Sequence, residues 1–322
     1  MNLMIAEARL SVSSAVISNG GIGLRRARSL AMLGMSAAAA CFLASPAAAH
    51  GFAGKRFFPA TPSTEDPAVA DELAFPTVTR FGGETAVSAE YAKRIFRNFG
   101  VSVGGEWIHA DEDGVEEEGF ANIETAARWQ FLTSEKHEAL ATLGLAVEWG
   151  GSGSDEFGEE TTVIAPNLAF GKGFGDLPES MNWARPLAVT GIVEYARPVD
   201  SADDLGEPIP TALEGGLSVQ YSLPYLASAV GDPDLPAWAK RLIPIVEFTF
   251  DDPVRDAGDE RFSATVRPGL LYVGRRVQLG AEAIIPANDE AGDRVGFIVQ
   301  LHFFIDDMFP RSLGRPLWGS RR

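Results

Sequence analysis

Val295-Gly296-Phe297-Ile298-Val299-Gln300-Leu301-His302-Phe303-Phe304-Ile305-Asp306 sorts into two rows. Val295, Phe297, Val299, Leu301, Phe303 and Ile305 form an unbroken apolar row. The other row is mixed: Gly296, Ile298, Gln300, His302, Phe304 and Asp306. A strand sends successive side chains to opposite faces, so this stretch is a strand with one apolar face and one wetter face. The same alternation recurs upstream at 85–95, 99–109, 123–131, 139–149, 161–171, 185–197, 213–223, 241–251, 261–273 and 277–285. Soluble strands average about five or six residues, whereas a tilted strand crossing a bilayer needs about nine to eleven. The length of these runs matches the second class.

Tight turns fall at Phe96 to Asn98, Thr133 to Lys136 and Val273 to Arg276, and long acidic loops at 110–119, 151–160, 198–210 and 251–260. Membrane barrels alternate short turns on one side with longer loops on the other. For that alternation to hold, a further strand must precede 85–95, and Leu73 to Phe81 supplies it despite Pro76. The expectation is an all-β, antiparallel transmembrane β-barrel of about 12 strands. Aromatic residues near strand ends, including Trp107, Trp149, Tyr195, Tyr221, Phe250 and Tyr272, fit an interfacial girdle. A soluble exported sandwich also alternates, and stays open as the alternative.

The chain of 322 residues carries 27 basic and 44 acidic side chains, net −17. A phosphate backbone needs a basic face, so nucleic acid is excluded as a partner. The single cysteine, Cys41, excludes a disulfide framework and a Cys-rich metal centre. No stretch beyond residue 49 reaches the length of a spanning helix. Residues 1–49 read as a cleaved signal peptide: Arg25, Arg26 and Arg28, an apolar run from Ser29 to Leu43, then Ser45-Pro46-Ala47-Ala48-Ala49. Residues 50–72 follow as a periplasmic or plug segment. Pro59, Pro62 and Pro67 keep it out of a central strand, and Phe52, Phe57 and Phe58 favour docking. The barrel spans 73–309 and a basic tail 310–322.

The opening His50-Gly51-Phe52-Ala53-Gly54-Lys55-Arg56-Phe57-Phe58-Pro59, with Asp66-Pro67 and Ala70-Asp71-Glu72-Leu73, resembles that of a group of exported proteobacterial barrels. The remainder is similar in style to outer-membrane proteins of the transporter-like or MetA-type phenol-degradation-pathway class. The resemblance implies an outer-membrane location in a Gram-negative bacterium, contact with outer-membrane lipid and insertion by the barrel-assembly machinery. One departure stands out. Such barrels usually finish on an aromatic residue, whereas here Phe303-Phe304 and Phe309 are followed by Arg311 to Arg322.

The wetter face carries Glu90, Glu106, Glu124, Glu148, Glu194, Glu214, Glu247 and Glu282, close to one per strand, with Arg128 and Arg267 as counter-charges. Carboxylates facing lipid are costly, so these residues are expected to line a lumen. They make either a neutralised structural network or an acidic conduit that favours cations. No catalytic residue is assigned and no enzyme is expected, since nothing marks one carboxylate pair above the others as acid and base. No cofactor or metal is expected either. His50, His109, His137 and His302 are isolated, and the acidic loops lack the EF-hand order. Three functions remain: a channel for small solutes or cations, a non-conducting structural or partner-binding barrel, and a soluble exported binding protein.

Overall fold

The computed structural model describes residues 51–318, apart from 113–114, 203–205, 207 and 259. The signal-peptide reading, His50 and the last four residues lie outside the described residues. A two-stranded hairpin, β1 (Phe52–Ala53) and β2 (Arg56–Phe57), comes first. Next come β3 (Glu72–Phe81), β4 (Glu84–Phe96), β5 (Phe99–Glu112), β6 (Val115–Phe120), β7 (Glu124–Ser134), β8 (Ala139–Glu148) and β9 (Val163–Gly173). The chain continues with β10 (Leu187–Pro198), β11 (Thr211–Tyr221), β12 (Leu242–Arg255), β13 (Ser263–Val273), β14 (Val277–Pro286) and β15 (Gly296–Phe304). Every neighbour pairs antiparallel. The sheet closes because β15 pairs with β3, β3 with β4 and β4 with β5. Twelve strands form the barrel, with β6 as one extra strand.

Leu73 to Phe81 does serve as the first barrel strand. Its pairing with β4 jumps between Ala74 and Thr77, and with β15 between Gln300 and His302. Phe75 and Pro76 therefore sit in a bulge, where a missing N–H breaks no ladder hydrogen bond. The 110–119 region departs from its reading as a loop. There β5 continues to Glu112 and turns back as β6, in register from Trp107↔Phe120 to Glu112↔Val115. Trp107 accordingly lies within a strand rather than at its end, at the level where β5 exchanges β7 for β6 as partner. The 133–136 turn is shifted too: β7 runs to Ser134, and the turn is 135–138.

The two faces of the wall differ in kind. Leu168, at the centre of β9, is 45% exposed, and Trp129, Leu143, Leu217, Leu279 and Val299 are similarly bare. A continuous apolar exterior of this size is costly in water and suited to lipid. This is a transmembrane barrel. On the opposite parity Thr142, Thr190, Ser218, Gln220, Gln278 and Gln300 are buried.

Residues 51–71 enter the barrel at the end that carries turns 97–98, 135–138 and 274–276, and line one half of its interior. Gln278 Nε2 donates to Ala60 O at 2.5 Å, Gln130 Oε1 accepts from Val69 N at 3.0 Å, and Thr142 Oγ1 donates to Pro67 O. The segment thus touches strands on both sides of the lumen. Two wall glycines make room for it. A Cβ on Gly216 would overlap Thr64 Cγ2, and one on Gly280 would come within 2.9 Å of Pro62 Cγ.

The tail completes the wall. Below Asp71 the chain leaves the β3 column for the lumen, which frees the last carbonyls of β4. Leu317 N and Trp318 N donate to Arg94 O and Ile95 O at 3.2 and 2.9 Å, filling that slot. Trp318 packs against Phe96 with the two rings tilted, their centroids 5.9 Å apart. The seam is tied by Asp71, which is fully buried and accepts from Lys93 Nζ, Arg94 N, Arg94 Nε and Arg94 Nη2 at 2.7 to 2.9 Å.

Candidate functional site: the lumen

Strand register places all ten expected residues on the interior parity, but it sorts them into two environments. In the half towards the long loops the acidic side chains form a belt. Glu124 opposes Glu148, Glu194 opposes Glu214, and Glu214 opposes Asp251 across adjacent strands. Glu90 opposes Gly104, which in turn opposes Glu124, and Glu106 opposes Ser88. None of these carboxylates is fully enclosed, and Glu90 is exposed although it faces Ser102, Glu65 and Arg128. Water therefore reaches this interior side chain. Directly opposed like charges in a ladder are unfavourable, so the belt is not shaped for stability.

Three groups temper the belt. Arg128 Nη2 lies 3.4 Å from Glu65 of the N-terminal segment and donates to Asp66 O. Asn167 Nδ2 donates to Glu194 at 2.8 Å, and Asn122 Nδ2 donates to Glu148 at 3.0 Å. The excess of carboxylate over guanidinium in this half stands.

The other environment is dry. Glu247, Arg267 and Glu282 are 0, 8 and 4% exposed and sit against Ser63 and Thr64. Arg267 Nε also donates to Thr265 Oγ1 at 2.8 Å. These three are not conduit lining of the open kind. The N-terminal segment covers them.

A second buried network fixes the hairpin at the short-turn end. Arg56 is fully buried, donates to Glu138 Oε2 at 3.2 Å, Pro186 O at 3.0 Å and Arg185 O at 2.5 Å, and stacks 3.8 Å over the Tyr225 ring. Glu138 also accepts from Gly175 N at 2.9 Å and Tyr225 OH at 2.7 Å. Burial lowers the Arg56 pKa, with Glu138 opposing that shift. Burial and Glu138 push the Tyr225 phenol up to about 12. Glu138 holds this place at φ 46, in the left-handed region, a strain its three partners offset.

The sequence reading missed Asp251, Asn167, Glu65 and the Arg56–Glu138–Tyr225 group. Asp251 lies on the same parity as Glu247, so the alternation already held it. The others carry no periodic signal. Among the described residues, no three His, Cys, Asp or Glu side chains come together as a metal site.

No protein-family model and no curated protein matches the chain. Solved structures do. The KdgM porin is 12% identical over 72% of this chain and 98% of its own, with a TM-score of 0.46. The NanC porin is 8% identical over 73% and 99%, at 0.46. An outer membrane channel from Pseudomonas putida F1 is 10% identical over 73% and 95%, at 0.47.

Proposed function

We propose that the chain is an outer-membrane channel for small solutes whose lumen favours cations. The observation that carries this reading is the belt of Glu90, Glu124, Glu148, Glu194, Glu214 and Asp251, faced by the single guanidinium of Arg128. Fixed carboxylates inside a low-dielectric wall concentrate their field along the axis, raising the local cation concentration and repelling anions. The acidic loops lie outside the cell, the short turns and both termini lie in the periplasm, and outer-membrane lipid covers the apolar exterior. Insertion by the barrel-assembly machinery, and membership of the transporter-like or MetA-type class, belong to the same reading.

A second reading, a non-conducting barrel, is favoured by one observation: residues 58–70 bond to both sides of the lumen in the periplasmic half. Conductance in planar bilayers separates the two. Discrete current steps in potassium chloride support the channel. Silence from protein that shows heat-modifiable migration, the mark of a folded barrel, supports the second reading.

A further inference from the structure

The tip of the N-terminal segment ends on three charged side chains from three consecutive strands. Glu247 of β12 opposes Arg267 of β13 in register, and Glu282 of β14 opposes Gly269 of β13 two residues further on. Ser63 brings the two carboxyl groups together, its N–H meeting Glu247 Oε2 and its hydroxyl meeting Glu282 Oε2, while Glu282 Oε1 is buried without a hydrogen-bond donor. Two ionised carboxylates offer only acceptors, so a dry site that gathers both at one serine favours a proton on one of them. Two carboxyls and one guanidinium also need that proton to reach neutrality, the condition for holding charge in a dry interior.

The tip closes over this trio. Glu247 accepts from Ser63 N at 3.0 Å, Thr64 N at 3.1 Å and the Thr64 hydroxyl. Ser63 Oγ donates to Glu282 Oε2 at 2.9 Å and accepts from Arg267 Nη1 at 2.8 Å. The opposed positions on the outer neighbouring strands are uncharged: Ser218 of β11 opposes Glu247, and Ile298 of β15 opposes Glu282. On the tip itself, Glu65 turns to Arg128 and the Asp66 carboxylate accepts from Ala68 N.

We propose that Glu247, Arg267 and Glu282 form a proton-operated latch: the tip stays docked while the carboxyl pair holds one proton, and is released when that proton leaves. Loss of the proton to solvent leaves two anions against one cation. Water must then enter to solvate the second charge. Ser63 and Thr64 occupy the space that water needs. Docking therefore takes up one proton, and the docking equilibrium shifts by up to about tenfold per pH unit where the pair titrates. The latch regulates the pathway of the channel reading and rests on it for its physiological meaning.

The test uses the full chain in lipid vesicles with Cys41→Ser, Asp66→Asn and Ala60→Cys, so that the reporting thiol sits on the tip and the Asp66 carboxyl, which also titrates, is silent. Labelling by a membrane-impermeant maleimide, divided by the rate at an exposed Ser228→Cys control, is followed from about pH 5 to about pH 9 and should rise by up to about tenfold per unit. Glu282→Gln keeps the site neutral without a titrating proton and should stay slow throughout, and Glu247→Gln serves as a second non-titrating variant. A flat ratio in the parent, or an unchanged rise in both folded variants, overturns the latch. Conductance recorded on the same samples separates the two claims. Labelling that follows pH beside bilayers silent at every pH keeps the latch and sinks the channel. Current steps beside a flat ratio do the reverse.

Discussion

Leu168 tests which medium the wall meets. It is the middle residue of β9, five positions from either end, 45% exposed and flanked by Leu143 of β8 and Val193 of β10. Arginine there places a charge near the bilayer midplane, at a cost of about 2–4 kcal/mol. At about 1.4 kcal/mol per factor of ten, that lowers the folding equilibrium constant between about 30-fold and about 700-fold. If the same face met water, the substitution would stay within about 0.5 kcal/mol, since it removes no buried contact. The interior control is Glu90→Arg, at a position that is exposed within the lumen and lies beside Glu65. Gln300 makes a poorer control despite its interior parity, because it is 8% exposed and an added side chain there would overfill the site. The assay is denaturant titration of each variant in lipid vesicles, beside the parent. Equal stability of Leu168→Arg and Glu90→Arg would refute the assignment of this face to lipid.

Other outcomes follow from the buried networks. Arg56→Ala removes the partner of a buried carboxylate and should cost about 3–5 kcal/mol of hairpin docking, read as protease cleavage within 51–57 of a still-folded barrel. Asp71→Asn weakens four donor contacts from Lys93 and Arg94 at the seam and should lower the barrel's melting temperature more than Asp232→Asn, an exposed pair with Lys240. Burial and Glu72 push the Asp66 carboxyl up to about 7. Its contribution to docking is therefore complete below its ordinary value of 3.8 and lost as pH rises through about 7, so protease protection of 58–70 should fall over that window. Asp66→Asn should remove that limb.

Strand positions were legible because burial on one face imposes a period of two, and a slip of one residue would exchange the faces of a whole strand. β3 was legible only through the requirement that strands alternate in direction, since Pro76 spoils its pattern and a bulge restores it. β6 was not legible: Glu116-Glu117-Glu118 has no alternation, and the strand forms by pairing with the extension of β5 rather than by burying a face. Among the eight glutamates, parity set the face but not the environment. Glu124 and Glu247 look alike in sequence. What separates them is a tip of chain almost two hundred residues from Glu247, whose position follows from Ser63 and Thr64 meeting that one carboxylate. A non-periodic segment leaves no local trace of where it docks.

The most direct measurement of the central claim is the reversal potential in a potassium chloride gradient across a planar bilayer. The parent should show the sign of a pore that prefers K⁺ to Cl⁻. Glu124→Gln with Glu148→Gln and Glu194→Gln should bring the potential towards zero while heat-modifiable migration persists. A potential of the anion-selective sign, or one that the three substitutions leave unmoved, would contradict the account.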